Sequence, residues 1–350
     1  MPKLCAKLIV LMPVYEDAEA CSQLLRHLEI SIQEPYCVVV VDDGSLRHPF
    51  VYPVARNSAQ DLRVIRLSRN RGHQAAIAVG LRYIARYVRT DQWVVVMDSD
   101  GEDVPEAIAE LVAQNEAIVD VVAASRGKRN DGPLFQLLYA AYKALFRCLT
   151  GYRMNFGNFM ALRGTAVQRL STMTTLSQHL AATVLASGLE MRKVRVDRGR
   201  RYAGRSKMNL RKLVLHGVAS LAVLAPVVQR RLALNTALFA GLASVGGMVL
   251  GGLMAAGLHA NLSSVAMAVV VVSAVVVVVS VGLSSRLQKL RKRTERALDR
   301  AQPFSIRIET SEDLVTGGTP APSARLLAQP TSGCSLSGNN ISHSLLPQDI

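Results

Sequence analysis

Through the first 125 residues, short β-branched apolar runs alternate with stretches of helical spacing, the sequence form of a parallel sheet covered by helices. "KLIVLMP" (Lys7–Pro13), "YCVVVVD" (Tyr36–Asp42), "LRVIRLS" (Leu62–Ser68), "QWVVVMD" (Gln92–Asp98) and "VDVVAAS" (Val119–Ser125) predict strands. Between them, "DAEACSQLLRHLEISIQ", "GHQAAIAVGLRYIARYV" and "PEAIAELVAQNE" repeat apolar residues three and four apart and predict helices. From Gly132 to about Ser187 the pattern is mainly helical, broken by a turn and strand at "NFGNFMALR" (Asn155–Arg163). A further strand, "EMRKVRV" (Glu190–Val196), leads into the basic loop "DRGRRYAGRSK". Polar residues gather just after strand ends, where open α/β sheets bind ligands.

The pattern then changes. From 208 to 229, apolar residues at 210, 213, 214, 218, 221, 224 and 228 define one face, which predicts a helix lying at a membrane interface; a core helix is the alternative. Residues 232 to 283 hold no Asp, Glu, Lys or Arg at all. Two apolar runs, 232–258 and 265–283, are separated only by "HANLSS". At ~1.5 Å per residue even the shorter run spans about 28 Å, close to the ~30 Å core of a bilayer, so the pair predicts a transmembrane hairpin. Arg230 and Arg231 precede it and "RLQKLRKR" (Arg286–Arg293) follows it, which places both ends on the cytoplasmic side. The start of the chain lacks the pattern of a cleavable signal peptide, so the first 231 residues are expected in the cytoplasm. After Arg300 the chain is rich in Ser, Thr, Gly and Pro without periodicity, and disorder is expected. These shifts divide the chain into a domain at 1–207, a juxtamembrane helix at 208–231, the hairpin at 232–283, a basic helix at 284–301 and a tail at 302–350.

Charge sharpens this picture. The net charge is +15 over 350 residues, yet residues 1 to 120 carry 12 basic and 17 acidic groups while 121 to 231 carry 20 and 3. A basic protein invites a nucleic-acid reading, but charge placed between an acidic half and an apolar hairpin suits phosphates and anionic headgroups better. Membrane lipids are therefore expected partners, and nucleic acid is not. Five cysteines without CxxC or shared spacing with His predict free thiols rather than zinc or disulfides.

The candidate chemistry lies at strand ends. "VVVMDSDGED" is a DXD motif that puts Asp98 and Asp100 after a buried strand, with Glu102 and Asp103 beyond. Alternate residues of an extended chain face one way, so both carboxylates can approach one Mg²⁺ or Mn²⁺ that also holds a diphosphate; plain turn-forming acids are the alternative. "VVVVDDGS" repeats the layout with Asp42 and Asp43, which can accept hydrogen bonds from a base or ribose. The first strand ends in "MPVYED" without GxGxxG, against a dinucleotide dehydrogenase. Gly72 and His73 open a helix whose first amides could attract phosphate, the alternative to a glycine that merely permits the turn; His179 is read as packing or capping and Trp93 as core.

"PVYED", "VVDDGS", "LSRNRGHQAAIAVGL", "MDSDGEDVPE", "ASR" and the RxxGxSK pattern of "RYAGRSK" stand in the order and spacing of family 2 glycosyltransferases. More narrowly, the chain resembles the polyprenyl-phosphate glycosyltransferases, dolichyl-phosphate mannose synthase-like, of the bacterial type with two C-terminal membrane helices. The resemblance covers about residues 7 to 283. It implies a GT-A fold, a Rossmann-like mixed sheet with helices on both faces, and an inverting hexosyltransferase that moves a sugar from a UDP- or GDP-sugar to undecaprenyl phosphate. It implies residence in the bacterial inner membrane with the catalytic domain in the cytoplasm. Position by position, Pro13, Tyr15, Asp17 and Asp42 match the nucleotide site. Asp98 and Asp100 match the metal-diphosphate site, with Glu102, a third candidate metal ligand, where the family commonly has Gln. Arg126 matches the Arg after the fifth strand, and Arg201, Ser206 and Lys207 match the late basic motif that lies against the phosphates.

Two departures stand out: Glu16 and Asp17 where the family usually has Asn then Glu, and Asn158 where an Asp often precedes the Phe. A lipid phosphate lessens the need for a carboxylate base, because a monoester with a second pKa near ~6 is already ionised at neutral pH. Arg and Lys then serve to orient two anions, and ten of them lie between Arg192 and Lys212. A processive polysaccharide synthase is a rival, though "QRRL" has no Trp where such enzymes carry QxxRW. "DSDG" superficially matches phosphatases of the haloacid-dehalogenase type, but lies on about the fourth strand. A catalytically idle, membrane-anchored binding subunit is the non-enzymatic rival. Small-residue spacings in "GLASVGGMVLGG" allow close helix packing, in a homo-oligomer or within one bundle.

Overall fold

The computed structural model describes residues 4, 6–51, 61–113, 119–126, 133–203, 210–256, 261–299 and 306–310. Its centre is an eight-stranded sheet formed by β1 (Leu8–Val14), β2 (Tyr36–Asp42), β3 (Asp61–Leu67), β4 (Trp93–Val96), β5 (Val121–Arg126), β6 (Phe156–Arg163), β7 (Met191–Val196) and β8 (Ile306–Thr310). The order is β7-β5-β6-β4-β1-β2-β3-β8. Strands β4, β1, β2 and β3 run parallel, as do β5 and β7, whereas β6 is antiparallel to both its neighbours and β8 to β3. The expected mixed sheet with helices on both faces is thus present. Strand β5 does not adjoin β4 as a simple parallel series would have it, because β6 returns between them.

Strands β1 and β2 are buried almost throughout. Covered faces on both sides account for their continuous apolar runs, since each successive side chain meets a different layer of helices. On one face Val10, Met12, Val38 and Val40 pack with α1 (Ala18–Ser31) and α3 (Ala107–Val112). Helix α1 buries Ala20, Cys21, Leu24, Leu25 and Leu28, a 3.6-period stripe in which each fully buried leucine contributes roughly 1.5–3 kcal/mol. On the other face Ile9, Leu11, Val39 and Val41 meet α2 (His73–Ile84), α5 (Gly164–Ser171) and α6 (Leu180–Ser187). Gly80 lets α2 approach: a Cβ there would collide with Leu11 and come within 3.0 Å of Val41.

Helix α4 (Pro133–Thr150) precedes β6, and three further helices follow β7: α7 (Leu210–Val223), α8 (Ala225–Ala255) and α9 (Asn261–Asp299). Helix α7 turns Gly217 and Ser220 toward Tyr142 of α4, with Ser220 Oγ 3.1 Å from the phenol oxygen, and leaves Val214, Leu215 and Val218 exposed. Outward apolar residues end at Val218: Ala222 and Val223, and Leu224 and Val228 beyond the helix, are buried, so the single face expected from 210 to 228 is divided between an exposed part and the protein core. Helices α8 and α9 pack along each other, and Ala225–Gly252 and Met267–Lys289 are long and apolar enough to cross a membrane. Exposed Leu234, Leu238, Val271 and Val278 mark their outer surface.

Three boundaries differ from the sequence reading. Helix α8 begins at Ala225, so Arg230 and Arg231 lie within it rather than ahead of it. Helix α9 runs unbroken through the basic segment, which has neither Gly nor Pro between Ser284 and Asp299 to stop it. Expected disorder from 302 is corrected at Ile306–Thr310, where the alternation Ile, Arg, Ile, Glu sets Ile306 and Ile308 against the core and pairs with β3. Five alternating residues are too short a signal by themselves; an open sheet edge supplies the missing partner. The division at 207/208 lies outside the described residues, as does the rest of the tail.

Candidate active site

Three adjacent strands, β4, β1 and β2, end at the same edge of the sheet. The chain moves outward from β1 through β2 to β3, then crosses back over β1 to β4, so β1 is the point where strand order reverses. Crevices at such points receive ligands in open α/β sheets. Here they receive Tyr15 from β1, Asp42 and Asp43 from β2, and Asp98 and Asp100 from beyond β4.

At the β1/β2 side the acids are bound to backbone. Pro13 lies inside β1 opposite Val41, and Tyr15, just past the strand, is 40 % exposed. Asp42 accepts from Ser45 N–H at 3.0 Å and Phe50 N–H at 3.3 Å, and pairs with Arg66 at 3.2 Å. Asp43 accepts from the amides of Arg71 and Gly72 at 2.7 and 2.8 Å, which fixes the entry to α2. Burial pushes the Asp43 carboxyl above its usual range, and the two amides oppose it. Asp17 stands at the start of α1 without a side-chain cap bond. Glu16, in a left-handed conformation at φ 49°, accepts from the amides of Leu46, Arg47 and His48. Those bonds, led by that of Leu46, lower its pKa to about 2.

At the β4 side the acids meet cations instead. Asp103 accepts from Asp98 N–H at 2.9 Å and Asp100 from Glu102 N–H at 3.0 Å, so the DXD turn is internally braced. Gly101, at φ 87°, lies under the ring of Tyr202, where no side chain would fit. The loop after β7 folds back onto this turn through Gly199 N–H to Glu102 O at 3.0 Å and Tyr202 N–H to Asp100 O at 2.9 Å. It brings Arg201 to 2.6 Å from Asp100 and pairs Arg198 with Glu102. Tyr202 in turn is tied to His27, whose other ring nitrogen is 2.8 Å from Glu106. Burial raises the Asp100 pKa, the Asp98 charge adds to the rise, and Arg201 opposes it.

A third group completes the crevice. His73 Nε2 lies 3.2 Å from Asp98 Oδ1 and 3.0 Å from Asn158 Nδ2, and Gln74 donates to Asn158 Oδ1 at 3.1 Å. Desolvation works against charging His73, but Asp98 together with Asp103 and Asp100 outweighs it and the ring pKa is raised. Behind this group His179 accepts from Ala182 N–H as the N-cap of α6 and stacks on His216 of α7 at 4.1 Å between ring centroids. Burial, with His216 adding to it, lowers the His179 pKa to about 3. Trp93 is buried beneath Arg163.

Of the residues singled out from sequence, Asp98, Asp100, Glu102 and Arg201 are brought together, and Asp42, Asp43, Pro13 and Tyr15 occupy the neighbouring strand ends. Arg126 closes β5 opposite Val196, from which the basic loop departs. Ser206 and Lys207 lie outside the described residues. His73, Arg198, Tyr202 and the structural use of Glu16 were not foreseen, although "NRGHQ" before an apolar helix and an acid in place of Asn were visible signals.

Asp98 and Asp100 supply hard carboxylate oxygens of the kind Mg²⁺ and Mn²⁺ take. Glu102 is engaged with Arg198, and among the described residues no three His, Cys, Asp or Glu side chains form a cage. The residues fit a cation held by one or two carboxylates, with the remaining positions left to phosphate and water.

Residues 9–170 match the model of glycosyl transferase family 2. An undecaprenyl-phosphate 4-deoxy-4-formamido-L-arabinose transferase of Pseudomonas fluorescens is 27 % identical over 212 residues, 59 % of this chain and 61 % of the relative. The uncharacterized glycosyltransferase YkcC of Bacillus subtilis is 27 % identical over 215 residues, 59 % of this chain and 64 % of its own length. The matched part of the chain therefore spans less than two thirds of these curated relatives. Among solved structures, a mannosyltransferase from Pyrobaculum calidifontis in complex with GDP-Man and Mn²⁺ is 16 % identical with a TM-score of 0.38, over 79 % of this chain and 89 % of that one.

Proposed function

We propose, from the match of residues 9–170 to the model of glycosyl transferase family 2, that the chain transfers a sugar from a nucleotide donor to a polyprenyl phosphate, undecaprenyl phosphate in a bacterium, at a membrane surface. The observation that carries the reading is the basic loop after β7. It sets Arg198 and Arg201 on the acids of the DXD turn, in a chain whose two long apolar helices follow. Opposed charges of this kind suit a site in which two phosphate-bearing substrates meet.

In this reading Tyr15 and the β2 end receive the base and ribose, and Asp98 and Asp100 face the donor diphosphate. A divalent cation, Mg²⁺ or Mn²⁺, held by Asp98 and Asp100 would neutralise charge on the leaving nucleoside diphosphate. Arg201 and Arg198, once the diphosphate competes for them, orient the phosphates, and Arg126 and Lys207 extend that positive lining. The acceptor phosphate is already ionised near neutral pH, so attack on the anomeric carbon needs orientation rather than a carboxylate base. A single attack of this kind inverts the anomeric configuration. Helix α7, with Val214, Leu215 and Val218 outward, would lie in the headgroup layer and keep the crevice level with the lipid phosphate.

Membranes containing the chain, supplied with labelled UDP- and GDP-sugars and polyprenyl phosphate, should convert label into an organic-extractable lipid in a metal-dependent manner. No transfer from any nucleotide sugar, together with an Asp100→Asn variant indistinguishable from wild type, would leave the membrane-anchored binding subunit as the better reading.

A further inference from the structure

Strand β8 is the last described segment of the chain, beyond both long apolar helices, yet it pairs with β3, one strand away from the end of β2 that carries Asp42. Ile306, 1 % exposed, anchors it in the core under the sheet. Three residues further along the strand Glu309 grips Arg66: both carboxylate oxygens lie 3.0 Å from Arg66 Nε. The same guanidinium turns Nη1 to Asp42 at 3.2 Å. The three side chains are 13 %, 25 % and 3 % exposed, so solvent screens this chain of charges poorly. Asp42 in turn holds the amides of Ser45 and Phe50, and Ser45 Oγ accepts from Glu16 N–H at 2.8 Å. A route of direct contacts therefore runs from β8 to the loop that borders the crevice on the β2 side.

We propose that Glu309 is a positioning residue for the donor nucleotide: by fixing Arg66 against Asp42, the returning C-terminal strand sets the geometry of the loop after β2 and with it the affinity for nucleoside diphosphate. The inference rests on the transferase reading for the identity of the ligand. Its physical content is that Arg66 has two carboxylates to serve. Without Glu309 the fork loses the partner that fixes its plane, and the buried Asp42 loses a cation held in register. The segment that returns from the apolar helices thus contributes to a substrate site through the sheet edge, though it touches no substrate.

Full-length protein in detergent or lipid discs, with Mg²⁺, allows UDP and GDP to be titrated calorimetrically against wild type, Glu309→Gln, Arg66→Met and the double variant. Glu309→Gln should weaken binding of the preferred nucleoside diphosphate about three- to tenfold and raise the donor KM by the same factor, with kcat and the polyprenyl-phosphate KM unchanged. Adding Glu309→Gln to Arg66→Met should cost no further affinity, since the contact is already gone. A lowered melting temperature with unaltered nucleotide affinity would overturn the inference, because a purely structural strand moves only the former. Additive effects in the double variant would overturn it too. A wild-type chain that binds neither UDP nor GDP would bring down the transferase reading and this inference with it, a result distinct from normal wild-type binding that Glu309→Gln leaves unchanged.

Discussion

The two sides of the crevice use the same residue type in opposite ways. After β1 and β2, the carboxylates of Glu16, Asp42 and Asp43 are engaged chiefly by backbone amides and hold loops in shape, with Arg66 as a further partner of Asp42. After β4, those of Asp100 and Glu102 face guanidinium groups on a loop that arrives from elsewhere in the fold. An acid bound to backbone N–H groups has no second state to adopt without unfolding its loop. An acid paired with a long, partly exposed side chain can exchange that cation for another. The first kind builds a site and the second kind binds in it, and aspartates that look alike in "VVDDGS" and "MDSDG" belong to different kinds.

The largest test of this difference is Asp100→Asn. It should lower transfer at least about a hundredfold, the scale of removing one electrostatic stabiliser, while the melting temperature stays close to wild type. Matching losses of activity and stability would make Asp100 a builder and erase the distinction. Asp43→Ala should behave in the reverse manner. Losing two charge-assisted bonds from buried amides should cost about 1–3 kcal/mol of stability in denaturant melts, and activity should fall only as the entry to α2 loosens.

That contrast explains how much could be read in advance. The strands were legible because β-branched runs such as "CVVVVD" have few other uses, and the three inner strand ends then located Asp42, Asp98 and Asp100 together. What an acid does at a strand end was not legible, since it depends on which amides or cations the rest of the fold delivers. Arg201 reaches Asp100 from a hundred residues away, and no local spacing records that approach. His73 was passed over because its partners, Asp98 and Asn158, lie on other elements. Strand β8 was missed for the opposite reason: its pattern is local but too short to stand without β3.

A histidine pair behind the crevice offers a control that involves neither kind of acid. His179 is buried, neutral and the N-cap of α6, with its pKa lowered to about 3. A base whose folded pKa lies below its unfolded value of ~6.5 gives full stability above that unfolded value and loses it as pH falls toward 3. Between pH 7 and pH 5 this residue should account for a loss of about 1–2 kcal/mol in pH-dependent melting. His179→Asn keeps a capping acceptor but cannot titrate, so its stability should vary less over the same interval. An unchanged pH slope in that variant would assign the acid sensitivity to the carboxylates instead.

The smallest effect should come from Glu16, which tests whether a builder can shape binding without supporting the fold. Its carboxylate is nested by three amides of an exposed loop, and its pKa of about 2 keeps it charged throughout the range above pH 4. Stability from a carboxylate with a depressed pKa is present above its unfolded value and disappears only as pH falls through the folded one, so no change near neutrality is expected. Glu16→Gln retains one acceptor and loses the charge. The loop at 46–48 should then sample more positions, raising the donor KM a few-fold with kcat and melting temperature nearly constant. A change in kcat comparable to that of Asp100→Asn would move Glu16 from the side of the crevice that holds shape to the side that meets charge.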